Sequence, residues 1–411
     1  MAKVLIHTLV FAPDGVSTAY IMTDLALELS RLGHTVTVLT TTPHYNLEPS
    51  ATRAYEMTPA GGGVFRGRVG DVSVWHLSMP MKGNKITARM ADYVKFHLRS
   101  LWLASTRLGQ FDVVLAPSPP LTIGLIGAGL GVIKRAPSIY NLQELFPDAA
   151  VNDGLLTNRV VIRLMHLLER AVYKGNTRIV AISEAFADVL RRRSVPEKKI
   201  VVIPNFVDTT FYRPRERRNE FATRNGLVDD FVVLYAGNLG KTQDWESLLF
   251  AAESLRSEAI TFAISGDGLR GDWLRSEIAR RSLSNIKLLG YLPRGQTPLL
   301  YASSDIGIIP MKARTTIDTF PSKVYTHFAC AKPVIASADD GSELKRVIHQ
   351  SRCGTVVAPD DPEALAGAIR GAFERRDSLF AEGAKGREYV EQSYSKEAVA
   401  TRYSELIREL V

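Results

Sequence analysis

The chain has 411 residues, 51 Lys/Arg against 43 Asp/Glu, and an apolar fraction of 45%. That length fits two domains of about 100–200 residues each, and the ordinary composition excludes wholesale disorder and fibrous structure. Cys330 and Cys353 are the only cysteines; they can build neither a disulfide framework nor a multi-cysteine zinc site, and they fit a reducing, cytoplasmic compartment.

The opening MAKVLIHTLVFAPDG reads as a first strand over 4–10 rather than a cleaved leader. Its apolar run is short, Asp14 follows, and no small-residue cleavage site appears. A helix is expected over 18–32, ended by Gly33 at a position suited to a left-handed C′ residue. Strands follow at 34–40, 72–77, 111–116, 138–142, 178–182 and 200–203, with helices at 86–108, 121–133, 155–174 and 184–192. The uncharged stretch 113–133 is long enough to raise a membrane span. Pro117, Pro119 and Pro120 in its first half, and glycines through its second, favour a strand running into a glycine-rich helix.

At Pro204-Asn205 the chain becomes turn-rich and then charged, as a linker does, and the pattern restarts. Strands are expected at 231–236, 261–265, 286–289, 306–309, 333–336 and 354–357. Helices are expected at 245–255, after Gly268 to 281, and at 298–302, 322–330, 344–349 and 362–370, with a helical tail from 381. Strand–helix alternation implies parallel, doubly wound sheets. The expected fold class is therefore α/β with two Rossmann-like domains facing across a cleft. The domains are an N-terminal one over 1–205, a C-terminal one over 206–385, and a helical segment over 386–411 crossing back toward the first.

The charge is unevenly spread. Residues 1–205 hold 23 Lys/Arg against 15 Asp/Glu, whereas 206–411 holds 28 of each. Over 81–108, Lys82, Lys85, Arg89, Lys95, Arg99 and Arg107 face one acid, Asp92, and are interleaved with Met90, Tyr93, Val94, Leu101 and Trp102. Apolar residues at three- and four-residue intervals make a helical stripe with cations beside it. The patch reads either as a docking face for an anionic membrane surface or as an ordinary helix facing its own domain. No nucleic-acid motif accompanies it.

No G-x-G-x-x-G follows the first strand and no Walker A motif occurs, which argues against a dehydrogenase and a P-loop NTPase. There is no Asp-x-Asp triplet and no His/Cys cluster at metal spacing, so no metal or other cofactor is expected. No G-x-S-x-G elbow appears either. Gly15, beside a helix start, leaves room for a phosphate or sugar against backbone N–H groups. Ser322 in TFPSKVYTHFACAKPVI suits an N-cap. Lys323, in the first turn that follows, is poorly placed for helix stability, and that conflict points to a ligand such as a diphosphate. Glu144 in LQELFP sits at the carboxyl end of an expected strand.

FAPDG, SRLGHTVTVLTT, LQELFPDAAV, VAISEAFADVL, VIPNFVDTTFYRP, VLYAGNLGKTQ, ISGDG, IKLLGYLPRGQTPLLYASSDIGIIP and PSKVYTHFACAKPVIAS, in this order, resemble the family 4 glycosyltransferases of the GT-B fold. The likeness is to the bacterial O-antigen, capsule and exopolysaccharide type. It implies retaining, metal-free transfer of a sugar from a nucleotide-sugar donor, a UDP-sugar favoured, to an acceptor hydroxyl. By position it also implies roles. Gly15 approaches the donor diphosphate, Asn238, Lys241 and Thr242 stand where the family places a basic pair, Tyr291 flanks the base, and Ser322 and Lys323 open the phosphate-facing helix. Where the family has two glutamates this chain has Asp318, suited to sugar hydroxyls, and Thr326, suited to a weaker ribose contact. Ala331 replaces a usual glycine. Lys323, Asp318 and Glu144 are the expected catalytic residues. The expected acceptor is a polyprenyl-diphosphate-linked or other glycan, with the enzyme on the inner face of the cell membrane through 82–107. A soluble small-molecule acceptor, or a non-catalytic partner of an active transferase, are the alternatives.

Overall fold

The computed structural model describes the chain except Asn46, Glu48, residues 82–85, Asp153 and Leu155, and the side chains of 49–51, 86–90, Asn152, Ile317 and Asp318. Lys82 and Lys85, and the side chains of Arg89 and Asp318, thus lie outside the described residues. The chain forms two compact units, Met1–Asn205 with Lys396–Val411, and Phe206–Ser395.

The first unit is built on nine strands: β1 (Lys3–His7), β2 (Thr35–Thr41), β3 (Thr58–Pro59), β4 (Val64–Val69), β5 (Val72–Leu77), β6 (Val113–Pro117), β7 (Ser138–Leu142), β8 (Arg178–Ala181) and β9 (Ile200–Val202). Their order is β3-β4-β5-β2-β1-β6-β7-β8-β9. From β5 to β9 neighbours run parallel, with Leu5 beside Thr37 and Val114. The central strands β6 and β7 are buried at every position, Ser138 and Asn141 included, as strands covered on both sheet faces are.

β4 runs antiparallel to β5, with Arg66 opposite Trp75. This hairpin was not expected, because Arg66, Gly67 and Arg68 interrupt the apolar run of β4. The Arg66 guanidinium lies 4.1 Å over the Trp75 ring, so the strand holds by cross-strand pairing instead. The helix expected from 155 starts only at Arg159, where the Asn158 side chain accepts from Val160 and Val161 N–H. Residues 113–133 form strand β6 and the helix Thr122–Lys134, and among the described residues no helix is long and apolar enough to cross a membrane.

The second unit has six parallel strands, β10 (Phe231–Ala236), β11 (Ile260–Ser265), β12 (Ile286–Gly290), β13 (Ile306–Pro310), β14 (Val334–Ser337) and β15 (Gly354–Val357), ordered β12-β11-β10-β13-β14-β15. The C-terminal tail is two helices. Leu379–Ser393 belongs to the second unit, and Lys396–Leu410 packs on the helix Ser17–Arg31 of the first. The break falls at Tyr394, which stacks on Tyr325 at 4.3 Å and whose carbonyl accepts from Val207 N–H at 2.9 Å. In the first unit the tail helix is held by Ser404 on His34 (2.8 Å) and by Tyr403 on the buried Asn141.

Candidate active site

In the second unit the chain leaves β10 toward β11 on one side, while β13 and β14 lie on the other. The carboxyl ends of β10 and β13 therefore flank the switch point at which a doubly wound sheet takes its ligand. Gly237, just after β10, has φ +146°, and a Cβ there would stand 2.9 Å from Lys323 Nζ. Gly266, just after β11, has φ +143°, and a Cβ there would overlap the Gly237 carbonyl. Gly237 N–H donates to Ser265 O (2.9 Å) and Gly266 N–H to Gly290 O (2.8 Å), so the ends of β10, β11 and β12 form one floor.

Lys323 fills the space that Gly237 leaves. Its ammonium lies 3.9 Å from the centroid of the Tyr235 ring. Tyr235 is fixed edge-on against Trp245 (4.8 Å), and its hydroxyl donates to Asn238 O (2.6 Å). Desolvation pushes the Lys323 ammonium down to about 7. The cation is thus held at a small-residue crevice, ready to be offset by an incoming anion.

Ser322 does not cap the helix as expected. It is itself helical (φ −56°, ψ −13°) and its hydroxyl bonds no helical N–H. The helix is Lys323–Ala329, and its first turn closes through Val324 N–H to Pro321 O (3.2 Å) and Tyr325 N–H to Ser322 O (3.1 Å). At its other end Ala331 has φ +54°, with Lys332 N–H on His327 O and Ala331 N–H on Phe328 O. This is the Schellman pattern, with alanine at the position that favours glycine.

Asn238 is exposed beside Gly237, and a Cβ on Gly268 would meet its Oδ1 at 2.6 Å. Lys241 is exposed, and Thr242 Oγ1 accepts from Gln243 Nε2 at 2.9 Å. Tyr291 follows β12 and is 53% exposed. The Thr326 side chain lies near the hydroxyl of buried Tyr301. The backbone of Asp318 ends the short helix Thr315–Asp318, whose start is clamped by Asp339 through Arg314 N–H (2.7 Å) and the Thr316 hydroxyl (2.6 Å). Asn238 and Lys323 meet around Gly237, and Tyr291 stands at the far edge of the floor.

Sequence reasoning missed Tyr235, Gly266 and Arg270. The Arg270 guanidinium lies over Trp273 at 4.6 Å, and its Nε is buried with no partner among the described residues. The ISGDG loop marked the neighbourhood, but nothing local distinguishes Arg270 from a surface cation.

Gly15 and Glu144 belong to the first unit. Gly15 N–H donates to Tyr45 O (3.0 Å). The adjacent Asp14 carboxylate accepts from His44 and Tyr45 N–H (2.8 Å each), while burial raises its pKa against those bonds. A cavity of about 540 Å³ is lined by Val16, Tyr93, Leu121, Phe146, Met165 and Leu168. Its polar groups include Glu144, just beyond β7, and His97. His97 Nε2 lies 2.9 Å from Thr122 Oγ1, and burial pushes its imidazole down to about 4. Behind it His7 stacks on Phe96 at 5.2 Å and is pushed down to about 3 by burial and by His97. Both rings are neutral at ordinary pH, so the cavity presents a mainly apolar surface with two carboxylates, Asp92 and Glu144, in its lining.

Beside this cavity the helix Ile86–Thr106 turns Val94, Leu98 and Trp102 to solvent. Two of its expected surface cations are taken. Arg99 donates to the carbonyls of Gly62 (2.6 Å) and Gly63 (2.9 Å), and Arg107 to that of Ala60 (2.7 Å). They tie the helix to the β3–β4 turn, which composition could not reveal.

Two doubly wound units, one with a cation in a switch-point crevice and one with an apolar cavity, define a transferase of the GT-B plan. The profile described as glycosyl transferase 4-like domain matches residues 18–205, and that of glycosyl transferases group 1 matches residues 230–375. The chain belongs to family 4 of the glycosyltransferases. It is 26% identical to the probable glycosyltransferase WbjE of Pseudomonas aeruginosa, over 80% of this chain and 82% of WbjE. It is 23% identical to WcaI, a putative colanic acid biosynthesis glycosyl transferase of Escherichia coli, over 99% and 100% of the two chains. Among solved structures, HepE of Anabaena in complex with UDP and glucose superposes with a TM-score of 0.75 at 16% identity over all of both chains. WaaG, a glycosyltransferase involved in lipopolysaccharide biosynthesis, superposes with a TM-score of 0.67 at 15% identity, over 98% and 99% of the chains.

Proposed function

We propose that this glycosyltransferase moves a sugar, with retention and without a metal, from a nucleoside-diphosphate sugar to a hydroxyl of a lipid-linked glycan in cell-surface polysaccharide synthesis. A UDP-sugar is the favoured donor and a polyprenyl-diphosphate-linked glycan the favoured acceptor. The observation that carries this reading is Lys323 in the crevice beside Gly237. A charge held there against burial is worth most when a diphosphate arrives to offset it.

In this reading the bond from the anomeric carbon to the diphosphate oxygen breaks, and the acceptor oxygen bonds the same face of that carbon. The acceptor proton passes to the leaving phosphate oxygen, so no strong enzymic base is needed. Lys323 offsets the charge on the leaving diphosphate, with Ser322, Asn238, Lys241 and Thr242 as the further donors to it. Gly15 leaves room for the donor, Tyr291 flanks the base, and Thr326 contributes a weak ribose contact. Asp318 and Glu144 hold sugar hydroxyls. The cavity beside Glu144 takes the acceptor, and the segment 82–107 lays the first unit on the anionic inner face of the cell membrane, with no nucleic acid involved.

The test is a screen of nucleotide sugars for release of the nucleoside diphosphate in the presence of membrane lipid extract. Turnover by one donor, lost in Lys323→Ala, supports the reading. A folded protein that turns over none of them overturns it. The apolar cavity also suits a soluble aglycone, a reading favoured if turnover with a small acceptor proceeds and the protein fails to sediment with anionic vesicles at low salt.

A further inference from the structure

The helix Arg159–Gly175 is amphipathic in an inverted sense. The side it buries carries Glu169, Val172 and Tyr173. The side it turns to solvent carries Val160, Leu164 and Leu167, exposed by 68%, 53% and 53%. A helix that serves only its own core does the reverse. The inversion is stabilised from within: Glu169 accepts from the Tyr173 hydroxyl (2.7 Å) and pairs with Arg193, which also pairs with Asp148. That network satisfies the buried carboxylate and fixes which side of the helix faces inward.

Along one edge of the exposed apolar stripe, at helical spacing, stand Arg159, Arg163 and Arg170. With Arg192 and Arg193 they line an open pocket of about 730 Å³. Arg159, Arg163, Arg170 and Arg192 are exposed and take part in no ion pair among the described residues. The helix has no exposed acid to answer them, because its only carboxylate is Glu169. The stripe is also not isolated. The helix packs on Thr122–Lys134, which exposes Leu125 and Val132, and that helix packs on Ile86–Thr106, which exposes Leu98 and Trp102.

We propose that the helix Arg159–Gly175 is a second membrane-contacting element, seated in the interface of an anionic bilayer. Its leucines enter the acyl boundary and its arginine row holds lipid phosphates. An apolar stripe edged by unpaired arginines is the pattern of an interfacial helix, and guanidinium matches phosphate geometry. A second copy of the chain is a poorer occupant, since pairing through this face brings two uncompensated arginine rows together. The proposal rests on the membrane part of the function proposed above, but on residues separate from 82–107.

The test is sedimentation of the full chain with vesicles of equal parts phosphatidylcholine and phosphatidylglycerol, against pure phosphatidylcholine, at low salt. Arg159→Gln/Arg163→Gln/Arg170→Gln is expected to weaken binding roughly 100-fold, each cation contributing about a factor of five. Leu164→Ser/Leu167→Ser is expected to weaken it while leaving salt dependence intact. All five positions are exposed, and melting curves check folding. If the wild type binds anionic vesicles and both variants bind equally well, this proposal falls while the 82–107 contact stands, with Leu98→Ser/Trp102→Ser as its own probe. Equal wild-type binding to neutral vesicles overturns the arginine row. No wild-type binding overturns both membrane contacts. A wild-type dimer that Leu164→Ser/Leu167→Ser turns into a monomer, with vesicle binding unchanged, overturns the proposal in favour of self-association. Donor turnover in detergent-dispersed lipid extract is read alongside. If it persists in the variants, any lost vesicle binding belongs to this surface and not to the chemistry.

Discussion

The Lys323 ammonium lies 3.9 Å over the ring of Tyr235, in the space that Gly237 leaves by having no side chain. A cation so placed gains from the ring quadrupole but loses its water. Desolvation pushes its titration down to about 7, where a diphosphate can shift it back to the charged form.

Affinity for a nucleoside diphosphate therefore falls as pH rises through about 7, because Lys323 gives up its proton. Titration calorimetry with UDP across that range checks it, and Lys323→Met is expected to bind weakly throughout and to lose most of the pH dependence. Flat affinity in the wild type sinks the assignment. For stability of the empty protein the sign differs. Unfolded Lys323 holds its proton up to 10.5 and folded Lys323 only to about 7, so stability rises with pH across that window.

Gly237→Ala places a methyl group 2.9 Å from Lys323 Nζ at φ +146°. Displacing that cation by a fraction of an ångström to one ångström is expected to cost roughly 100-fold in kcat/KM. Gly367→Ala is the control: it lies in the helix Pro362–Glu374, a Cβ there meets nothing within 4 Å, and activity is expected to be unchanged.

His327 is fully buried, stacked edge-on against Tyr301 at 4.8 Å, and neither ring nitrogen has a partner among the described residues. Burial, with Lys323 and Lys332 nearby, pushes it down to about 3. Below its ordinary 6.5 the unfolded chain takes a proton that the folded chain refuses, so stability is lost as pH falls through that window. His327→Leu is expected to add about 1 kcal/mol at neutral pH and to shallow the acid loss, as read by urea unfolding. A destabilised variant that keeps the full acid slope contradicts this.

Ala331 adopts φ +54° at the end of the Lys323–Ala329 helix. A left-handed L-residue costs about 1–2 kcal/mol, partly offset by the greater freedom of unfolded glycine. Ala331→Gly should therefore raise stability by about 1 kcal/mol, measured as an upward shift of the urea midpoint at unchanged slope.

Ala150 lines the cavity of about 540 Å³ in the first unit. Ala150→Trp is expected to fill it, suppressing transfer to the acceptor while leaving nucleoside-diphosphate affinity unchanged. Equal loss of both would disconnect the cavity from acceptor binding.

The α/β class, the two-unit plan and most strands were legible in the sequence, because alternation and β-branched runs are local signals and parallel sheets bury both strand faces. Lys323 stood out by one local conflict, a cation in a helix's first turn. Its partners did not, since Tyr235 and Gly237 lie far away in the chain and only the strand order joins them. The β4 hairpin escaped because its stabilisation is a cross-strand pair. The charge excess in 1–205 was countable, but its use was not: Arg99 and Arg107 tie the helix Ile86–Thr106 to a turn by bonds to carbonyls distant in sequence. The periodicity of 159–175 was likewise visible, whereas the side it turns outward was decided by the pairing of Glu169 with Arg193. Composition and period set which elements form. Which face is buried, and which charge stays unpaired, depend on neighbours that only packing supplies.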